Sequence, residues 1–495
     1  MKKFRYIALN CLLVATLCAC NKLEEAPFST ISANQFYKTS GDAQAALTAA
    51  YGSLRTIYDG SAILMSSDFS ADQVYPRPVV GRNTLTLFSY DPAFSVQVSN
   101  NRVAESPVAM WSGCYTGIEK CNLVLEKVPG IEMEEKVKTT ILGEAYYLRA
   151  YYFWVLTKAF GDVVIKTTTT ATQADAFHEK SAKADVYKQI YADLDLAIAS
   201  LPPYSASIVR GHVSAEVAQA LYAKVALYNE DWANALAKAQ LIINSGKYSL
   251  MPDPRSVFTA SMKDAARTEN IWSYESESTS PGVTQQMTSL YSPVGGSPTY
   301  GTTGFGSAFA YYSFFNSFAV NDKRRQLLDT TYVNLSGTVV RQKNITPVTP
   351  FGVLVKKYAD PNNIGGATAA NIPILRLADI YLIAAEAEAR LNGPTTTAYN
   401  YIDVVRTRAG IEKLAPGLSA TAFIDAVLQE RSWELFAEGD RWYDLTRTNT
   451  FLTVIPKAIN DIFPVRTPTS RNRYFPIPQD EINANTKLTQ NDPWK

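Results

Sequence analysis

Three glutamates spaced four residues apart are the strongest candidates for acid–base chemistry in this sequence. Glu430, Glu434 and Glu438 recur at i, i+4 and i+8, so one helical face would carry all three. A glycoside hydrolase uses two carboxylates about 5–9 Å apart. However, Arg431 and Arg441 lie at spacings suited to ion pairs, and such a face is more often a structural network. We therefore predict ion pairing here and no catalytic residue.

Other kinds of catalytic or cofactor site lack the residues they need. The two histidines, His178 and His212, have no His or Cys neighbour at metal-ligand spacing. The sequence contains no nucleophile elbow and no phosphate-binding loop, and Gly301, Gly304 and Gly306 have the wrong order for a dinucleotide fingerprint. We expect no metal, no cofactor and no enzyme activity.

The overall charge argues against a nucleic-acid partner. The 495 residues include 47 Lys and Arg against 46 Asp and Glu, and 46% are apolar. A chain of this composition buries a large core, and it has no basic excess with which to neutralise phosphates. Its length fits two to four domains or one large helical array.

The first twenty residues predict export and lipid attachment. Lys2, Lys3 and Arg5 precede a mostly apolar stretch over 6–19, which is the pattern of a signal peptide. The stretch is too short for a membrane span, and no later segment approaches the required length. Its end, LCAC, resembles a bacterial lipobox, so we predict a signal peptide over 1–19 and lipidation of Cys20. Removal of that peptide changes the formal charge from +1 to −2.

The two cysteines beyond the anchor are predicted to be buried free thiols. Cys114 and Cys121 lie seven residues apart in a probable helix, about 10 Å by helical rise. A disulfide requires Cα atoms within roughly 7 Å. No disulfide framework is therefore expected.

Helical periodicity dominates two parts of the chain and disappears between them. We expect a tether over 20–40, a helical region over 41–272, a loop-rich insertion over 273–372, and a helical region with an extended tail over 373–495. Two helical hairpins are predicted, each close to the roughly 34-residue length of a tetratricopeptide unit. Their helices are Ser214–Tyr228 with Trp232–Asn244, and Ile374–Leu391 with Thr395–Arg408. The fold class is therefore mainly α, with interrupted tetratricopeptide-like hairpins.

Four segments resemble motifs of the SusD/RagB family. They are GEAYYLRAYYFWVLTKAFGDVV over 143–164, ILRLADIYLIAAEAEARL over 374–391, ERSWELFAEGDRWYDLTR over 430–447, and FPIPQDEINANTKLTQNDPW over 475–494. They follow one another in order across nearly the whole mature chain. Together with the lipobox they identify the chain as SusD-like.

The resemblance implies a surface-exposed outer-membrane lipoprotein of Bacteroidetes-type bacteria. Family members cap a SusC-like TonB-dependent transporter and capture a nutrient, most often a glycan, for import. Residues 22–25, KLEE, resemble the short surface-export signal that follows the lipidated cysteine in such proteins. The shared motifs are mainly scaffold, so they do not identify ligand residues.

Two loops supply the candidate ligand residues, namely those over 68–101 and 273–312. A glycan site needs aromatic faces and planar polar groups, and these loops offer both. Neither loop contains a tryptophan for a broad stacking platform. Trp272, just before the second loop, is predicted to be a buried strand residue. The predicted ligand residues are Tyr75, Arg82, Tyr90, Asn100, Tyr291, Tyr300 and Tyr311. Two alternatives remain open: the same scaffold capturing a peptide, and a surface glycoside hydrolase.

Overall fold

The computed structural model describes residues 36–279, 284–341, 352–459 and 462–495. The predicted signal peptide, Cys20 and the tether up to residue 35 lie outside the described residues. The fold is mainly α-helical, as predicted, and its few strands are short. Two hydrophobic cores hold it together, a large one that extends through most of the chain and a smaller one among three helices near the C-terminus.

The N-terminal part contains the longest helices and two of the strands. Its first helix begins after Thr39, whose hydroxyl accepts from the backbone N–H of Asp42 while the Asp42 carboxylate accepts from the backbone N–H of Thr39, a reciprocal cap. In chain order the elements are α1 (Ser40–Gly52), α2 (Leu54–Tyr58), α3 (Ala62–Asp68), β1 (Val74–Pro76), α4 (Arg82–Thr86), α5 (Ser95–Ser99), α6 (Pro107–Lys127), α7 (Glu135–Phe160), α8 (Lys183–Ser200), α9 (Ala215–Tyr228), α10 (Trp232–Asn244) and β2 (Asn270–Tyr274).

Neighbouring helices pack as α6 on α7, α7 on α8, and α9 on α10. Gly117 of α6 lies directly against the ring of Tyr152 in α7, and a Cβ there would overlap that ring. The close approach therefore depends on glycine at this position. The hairpin α9–α10 confirms the first predicted hairpin, because Ser214 caps α9 and Asp231 caps α10 with their side chains.

The insertion is less regular and carries only short elements. They are α11 (Met287–Tyr291), β3 (Ala308–Ala310), α12 (Tyr312–Ser317), β4 (Leu328–Asp329), β5 (Thr331–Val333), β6 (Val339–Arg341) and β7 (Leu354–Val355). The sheets of the described chain are two-stranded and antiparallel, and they pair β1 with β3, β2 with β8 (Ile372–Arg376), β4 with β7, and β5 with β6.

The C-terminal part returns to helices. Its elements after β8 are α13 (Leu377–Asn392), α14 (Thr396–Ala409), α15 (Ala420–Glu434), α16 (Arg441–Arg447), α17 (Phe451–Val454) and α18 (Gln479–Ala484). The predicted start of the second hairpin at Ile374 is wrong, because residues up to Arg376 pair with β2 as a strand. The predicted buried strand around Trp272 is that partner, β2, so the same pairing confirms one prediction and corrects the other.

Short 3₁₀ helices connect many of these elements. They are Val103–Glu105, Val128–Gly130, Gln173–Ala176, Pro254–Phe258, Ala260–Met262, Ala265–Thr268, Lys323–Leu327, Ile455–Lys457, Ser470–Arg473 and Asp492–Trp494.

Cys114 and Cys121 are free and buried in α6, as predicted. Burial raises the pKa of both thiols, so they are unreactive at neutral pH. Within the described ranges, none of the helices combines the length and the apolar character that a membrane crossing requires.

Candidate functional site

The three glutamates singled out from the sequence lie at the end of α15, but not on one helical face. The helix ends at Glu434, and the positive φ angles of Ala437 (58°) and Gly439 (81°) redirect the chain, so Glu438 lies in the following turn. The predicted common face of all three residues is therefore wrong. Their side chains nevertheless meet, because shared cationic partners hold them together.

We call these three glutamates and their cations the Glu434 network. Glu434 lies 2.5–3.0 Å from three guanidinium groups. Glu430 and Glu438 each accept from two cationic side chains. The cations of the network are Arg324, Arg376, Arg406, Arg408 and Lys357. Ion pairing of the glutamates is therefore confirmed.

The partners differ from those expected from sequence spacing. Arg431 pairs with Asp379 at 2.7 Å and with Asp444 at 2.8 Å. Arg441 makes a two-pronged pair with Asp72, with both distances 2.8 Å. Spacing along one helix could not reveal these pairs, because each pair joins residues of different elements.

The chemistry of the Glu434 network is that of a structural ion cluster. Burial alone would raise the pKa of Glu434, but Arg408, Arg376 and Arg324 hold it well below its usual range. A general acid needs a carboxyl group that keeps a proton near neutral pH. Because the arginines favour its carboxylate form, Glu434 is unsuited to the role of general acid.

The two loops predicted to carry the ligand residues are joined by a short sheet. Strand β1 pairs with β3 in antiparallel register, with Tyr75 opposite Phe309. The pairing continues on one side through the N–H of Arg77, which donates to the carbonyl of Ser307 at 2.9 Å. On the other side the N–H of Tyr311 donates to the carbonyl of Gln73 at 3.0 Å. Both strands are buried, so the pairing holds the two loops together beneath the surface.

The predicted ligand tyrosines lie in the core beneath that surface. All five are at most 3% exposed, namely Tyr75, Tyr90, Tyr291, Tyr300 and Tyr311. The expectation that Tyr300 and Tyr311 are exposed loop aromatics is wrong. Both faces of β1 and β3 are covered, so Tyr75 packs among core side chains, and the ring centroids of Tyr75 and Tyr311 lie 4.6 Å apart. A direct ligand role for these residues stays a prediction without geometric support.

Polar partners inside the protein occupy several of their hydroxyl groups. The hydroxyl of Tyr300 donates to Asp329 at 2.8 Å, and that of Tyr291 donates to Asp68 at 3.3 Å. Tyr90 accepts from the side-chain amide of Asn472 at 3.3 Å. These hydroxyls are structural because they satisfy, or are satisfied by, buried polar groups.

The other two predicted ligand residues differ from each other. The guanidinium of Arg82 is buried and donates to both carboxylate oxygens of Glu105 at 2.8 Å, so it is a structural residue. Asn100 is exposed, and its side-chain amide donates to the carbonyl of Val96 at 2.8 Å. Asn100 can therefore still offer its side-chain oxygen to a ligand.

Two aromatic side chains of these loops do reach the surface, namely Phe305, which is 41% exposed, and Tyr312, which is 39% exposed. Phe305 lies between Gly304 and Gly306 on a segment that packs tightly on Pro293 and Val294. A Cβ at Gly304 would overlap the carbonyl of Pro293, and one at Gly306 would lie 2.6 Å from the side chain of Val294. The glycines are thus needed for the close approach that holds Phe305 outward.

We call the exposed residues around this joint the loop rim, defined as Arg77, Val80, Asn100, Asn101 and Phe305. Arg77 is bonded to the segment that follows Phe305, and Gly81, next to Val80, packs on Arg102, next to Asn101. Arg77 is half-buried and the other four are exposed.

Sequence reasoning passed over Phe305 as a ligand residue, although a signal was present. Glycine on both sides of an aromatic residue gives the backbone the freedom to place the ring toward solvent. Asn101 also adopts a positive φ of 54°, as Phe88 and Phe94 do nearby. Such backbone strain tends to collect at functional sites.

Within the part of the chain that the structure describes, no group of three or more His, Cys, Asp or Glu side chains is arranged to hold a metal ion. His178 and His212 lie in different surroundings, as expected from their separation. His178 lies 2.7 Å from the carbonyl of Asp175, and Nδ1 of His212 lies 2.7 Å from Glu144.

Comparisons with known proteins agree with this architecture. Residues 268–494 match the family described as "SusD family", and residues 33–227 match the family described as "Starch-binding associating with outer membrane". A SusD-like protein of Formosa agariphila is 27% identical, with all of both chains covered.

Solved structures share the fold at lower identity. A laminarin-binding SusD-like protein is 22% identical and superposes with a TM-score of 0.77 over 92% of this chain and 99% of its own. The surface glycan-binding protein A of Bacteroides thetaiotaomicron in complex with laminarihexaose is 23% identical, with a TM-score of 0.74 over 92% of this chain and 100% of its own. From its family matches and its mainly α fold, the chain belongs to the SusD family.

Proposed function

We propose that this protein is a surface-exposed outer-membrane lipoprotein that binds an oligosaccharide or polysaccharide at the loop rim. It delivers that glycan to a SusC-like TonB-dependent transporter. The observation that carries the proposal is the pairing of β1 with β3, which joins two loops whose Phe305, Asn100 and Asn101 are exposed.

The loop rim has the chemistry that sugars require. The face of Phe305 can stack on the apolar side of a sugar ring, and the asparagine amides can pair with neighbouring hydroxyls. Arg77 adds a planar donor at the same joint. Relatives whose descriptions include laminarin or laminarihexaose support a glycan as the ligand.

Binding without hydrolysis follows from the state of the carboxylates. In the Glu434 network each of the three glutamates is paired with at least two cationic side chains, and Glu430 and Glu434 are buried. We therefore expect the purified protein to leave a bound oligosaccharide intact. Turnover that Glu434→Gln abolishes would instead support the glycoside hydrolase alternative.

Membrane attachment is proposed through the lipid on Cys20. Replacing it by Cys20→Ala should release the protein from the membrane fraction, since one lipidated residue supplies the anchor. The comparison is made in cells without the transporter, because transporter binding would retain the protein independently. Retention of Cys20→Ala on membranes under those conditions would contradict this anchor.

The ligand class is tested by screening the soluble mature protein against glycan and peptide arrays. The panel includes laminarin, starch and mixed peptides. Saturable binding to a glycan that Phe305→Ala weakens supports the proposal. Binding to peptides alone would favour the alternative in which the same scaffold captures peptides.

A further inference from the structure

A narrow cleft between α7, α8, α9, α16 and the segment at residues 473–474 is lined by four cationic side chains and four tyrosines. We call it the cationic cleft and define it by Lys158, Lys183, Arg447 and Arg473. No carboxylate is among its lining residues. Its composition is thus opposite to that of the Glu434 network.

Lys158 lies at the base of the cationic cleft without a counter-ion. It is buried, and among the described residues its ammonium group has no ion pair or hydrogen bond. Instead it lies 4.1 Å from the ring centroid of Trp154 and 4.4 Å from that of Tyr443. Burial lowers the pKa of Lys158 to about 7, which indicates how incompletely its charge is compensated.

Asp440 and Asp444 are the carboxylates that act electrostatically on Lys158, and both pair with other side chains. Asp440 binds Lys224 at 2.9 Å and accepts from the hydroxyl of Tyr228 at 3.2 Å. Asp444 binds Arg431 and Arg447, both at 2.8 Å. Arg447 is the one cleft cation that these groups neutralise, and Glu386 pairs with it as well.

The mouth of the cationic cleft carries two more cations without carboxylate partners. Lys183 donates to the hydroxyl of Tyr474 at 3.3 Å, and Arg473 lies 5.7 Å from the ring centroid of Tyr474. Within the described ranges neither side chain forms an ion pair. Both are only partly buried, so they can turn toward an entering group.

A donor inside the cleft also lacks a partner. The hydroxyl of Tyr443 is buried and has no hydrogen-bond partner in the described structure. Buried polar groups in folded proteins are nearly always satisfied, by protein, water or ligand. Three cations without a carboxylate partner and one unsatisfied hydroxyl therefore converge on a space that no carboxylate lines.

From this arrangement we infer that the cationic cleft binds a tetrahedral oxyanion, a sulfate or phosphate group, either as the free ion or as an ester on a sugar. The free space inside the cleft is small, far below the range of about 300–1,000 Å³ usual for drug-sized ligands. It suits one small anionic group rather than a stretch of polysaccharide. Lys158 and Tyr443 bind the buried oxygens, while Lys183 and Arg473 close over the outer ones.

This inference is independent of the proposed glycan function, because the residues of the cleft and of the loop rim belong to different segments. Loss of anion binding would leave Phe305 and its neighbours unchanged. Conversely, a failed glycan screen would not affect the cleft.

The first test measures thermal unfolding of the mature protein during titration with sodium sulfate or sodium phosphate. Ionic strength is held constant with sodium chloride, because sulfate stabilises many proteins by exclusion from their surface. A specific site gives a saturable rise of Tm. We expect saturation in the millimolar range for the wild type.

One double variant and one matched control locate the effect. The double variant Lys183→Gln/Arg473→Gln removes two partly exposed cations, so its fold should be retained. We expect its apparent affinity for sulfate to fall at least tenfold, about 1.4 kcal/mol. Lys188→Gln is the control, because Lys188 lies on α8 as Lys183 does, is 77% exposed and pairs only with Asp185 among the described residues.

Glucose 6-sulfate and glucose 6-phosphate, with glucose as their control, distinguish the two sources of the anion. Tighter binding of an ester than of the free ion assigns the cleft to a sugar substituent, and tighter binding of the free ion assigns it to inorganic anion; either supports the inference. A Tm rise without saturation in the wild type would overturn it. An equal, saturable rise in wild type and double variant would overturn it too.

Discussion

The Glu434 network and the cationic cleft are both clusters of charged side chains, but they differ in how completely those charges are paired. In the network, Glu434 alone is held by three guanidinium groups, and its neighbours Glu430 and Glu438 have two cations each. In the cleft, Lys158, Lys183 and Arg473 have no carboxylate partner among the described residues. Charge clustering alone therefore does not identify a site; the completeness of pairing does.

The same contrast separates the aromatic side chains. Tyr300 is 1% exposed and its hydroxyl is satisfied by Asp329. Phe305, five residues later, is 41% exposed and has no core to fill. Both belong to one aromatic-rich stretch of sequence, so composition could not distinguish them. The buried ring of Tyr300 stabilises the fold, and the exposed ring of Phe305 is available to a ligand.

The largest effect is expected in the Glu434 network. Glu434→Gln removes the one carboxylate that three buried arginines share, so the free energy of unfolding should fall by about 3–5 kcal/mol. Urea denaturation measures it. Glu412→Gln, at an exposed position, is the control and should change stability by less than about 0.5 kcal/mol. A loss for Glu434→Gln as small as that of the control would mean that the network is not structural.

A slightly smaller loss of stability is expected for a buried tyrosine of the insertion. Tyr300→Ala empties a core position and should lower the free energy of unfolding by about 3 kcal/mol. Thermal melts of the variant and of Phe305→Ala, measured side by side, sharpen the contrast between the two aromatics. Equal melting temperatures for the two variants would show that Tyr300 contributes no more to stability than Phe305 does.

The third prediction concerns pH and the uncompensated Lys158. Its folded-state pKa of about 7 lies below the value of 10.5 expected in the unfolded chain. The unfolded state therefore binds more protons between these values, and stability should rise with pH across that window. This gain in stability is lost again as the pH falls toward 7.

Lys158→Met removes the titrating group while keeping a side chain of similar length. Between about pH 7 and 9, the gain in stability should be smaller in the variant than in the wild type by up to about 2.7 kcal/mol. Urea denaturation at the two pH values gives the difference. Identical gains in both proteins would show that Lys158 stays protonated across this range, with a folded-state pKa close to that of the unfolded chain.

The sequence was sufficient for much of the fold because the relevant signals are local. The hairpin of α9 and α10 follows from periodicity together with the caps Ser214 and Asp231. The buried strand at Trp272 follows from a short apolar run. The start of α13 was misplaced because residues 374–376 fit a helix equally well, and only pairing with β2 makes them a strand.

The candidate site was harder to predict because exposure is a tertiary property. Tyr75 and Tyr311 suit a sugar platform by type, but the pairing of β1 with β3 turns them inward. The cationic cleft gave no local signal at all, since Lys158, Lys183 and Arg473 come from three separated segments. Only the folded arrangement brings their charges together.

The most direct test of the account is isothermal titration calorimetry of Phe305→Ala and Tyr300→Phe with the glycan found by the array screen, and with laminarihexaose as a fixed probe. We expect Phe305→Ala to weaken glycan binding by about 1–2 kcal/mol with an unchanged Tm, because an exposed stacking aromatic is lost. Tyr300→Phe should lower Tm and leave affinity unchanged, because its hydroxyl serves Asp329 inside the fold. The reverse pattern, with full affinity in Phe305→Ala and lost affinity in Tyr300→Phe, would contradict a glycan site at the loop rim.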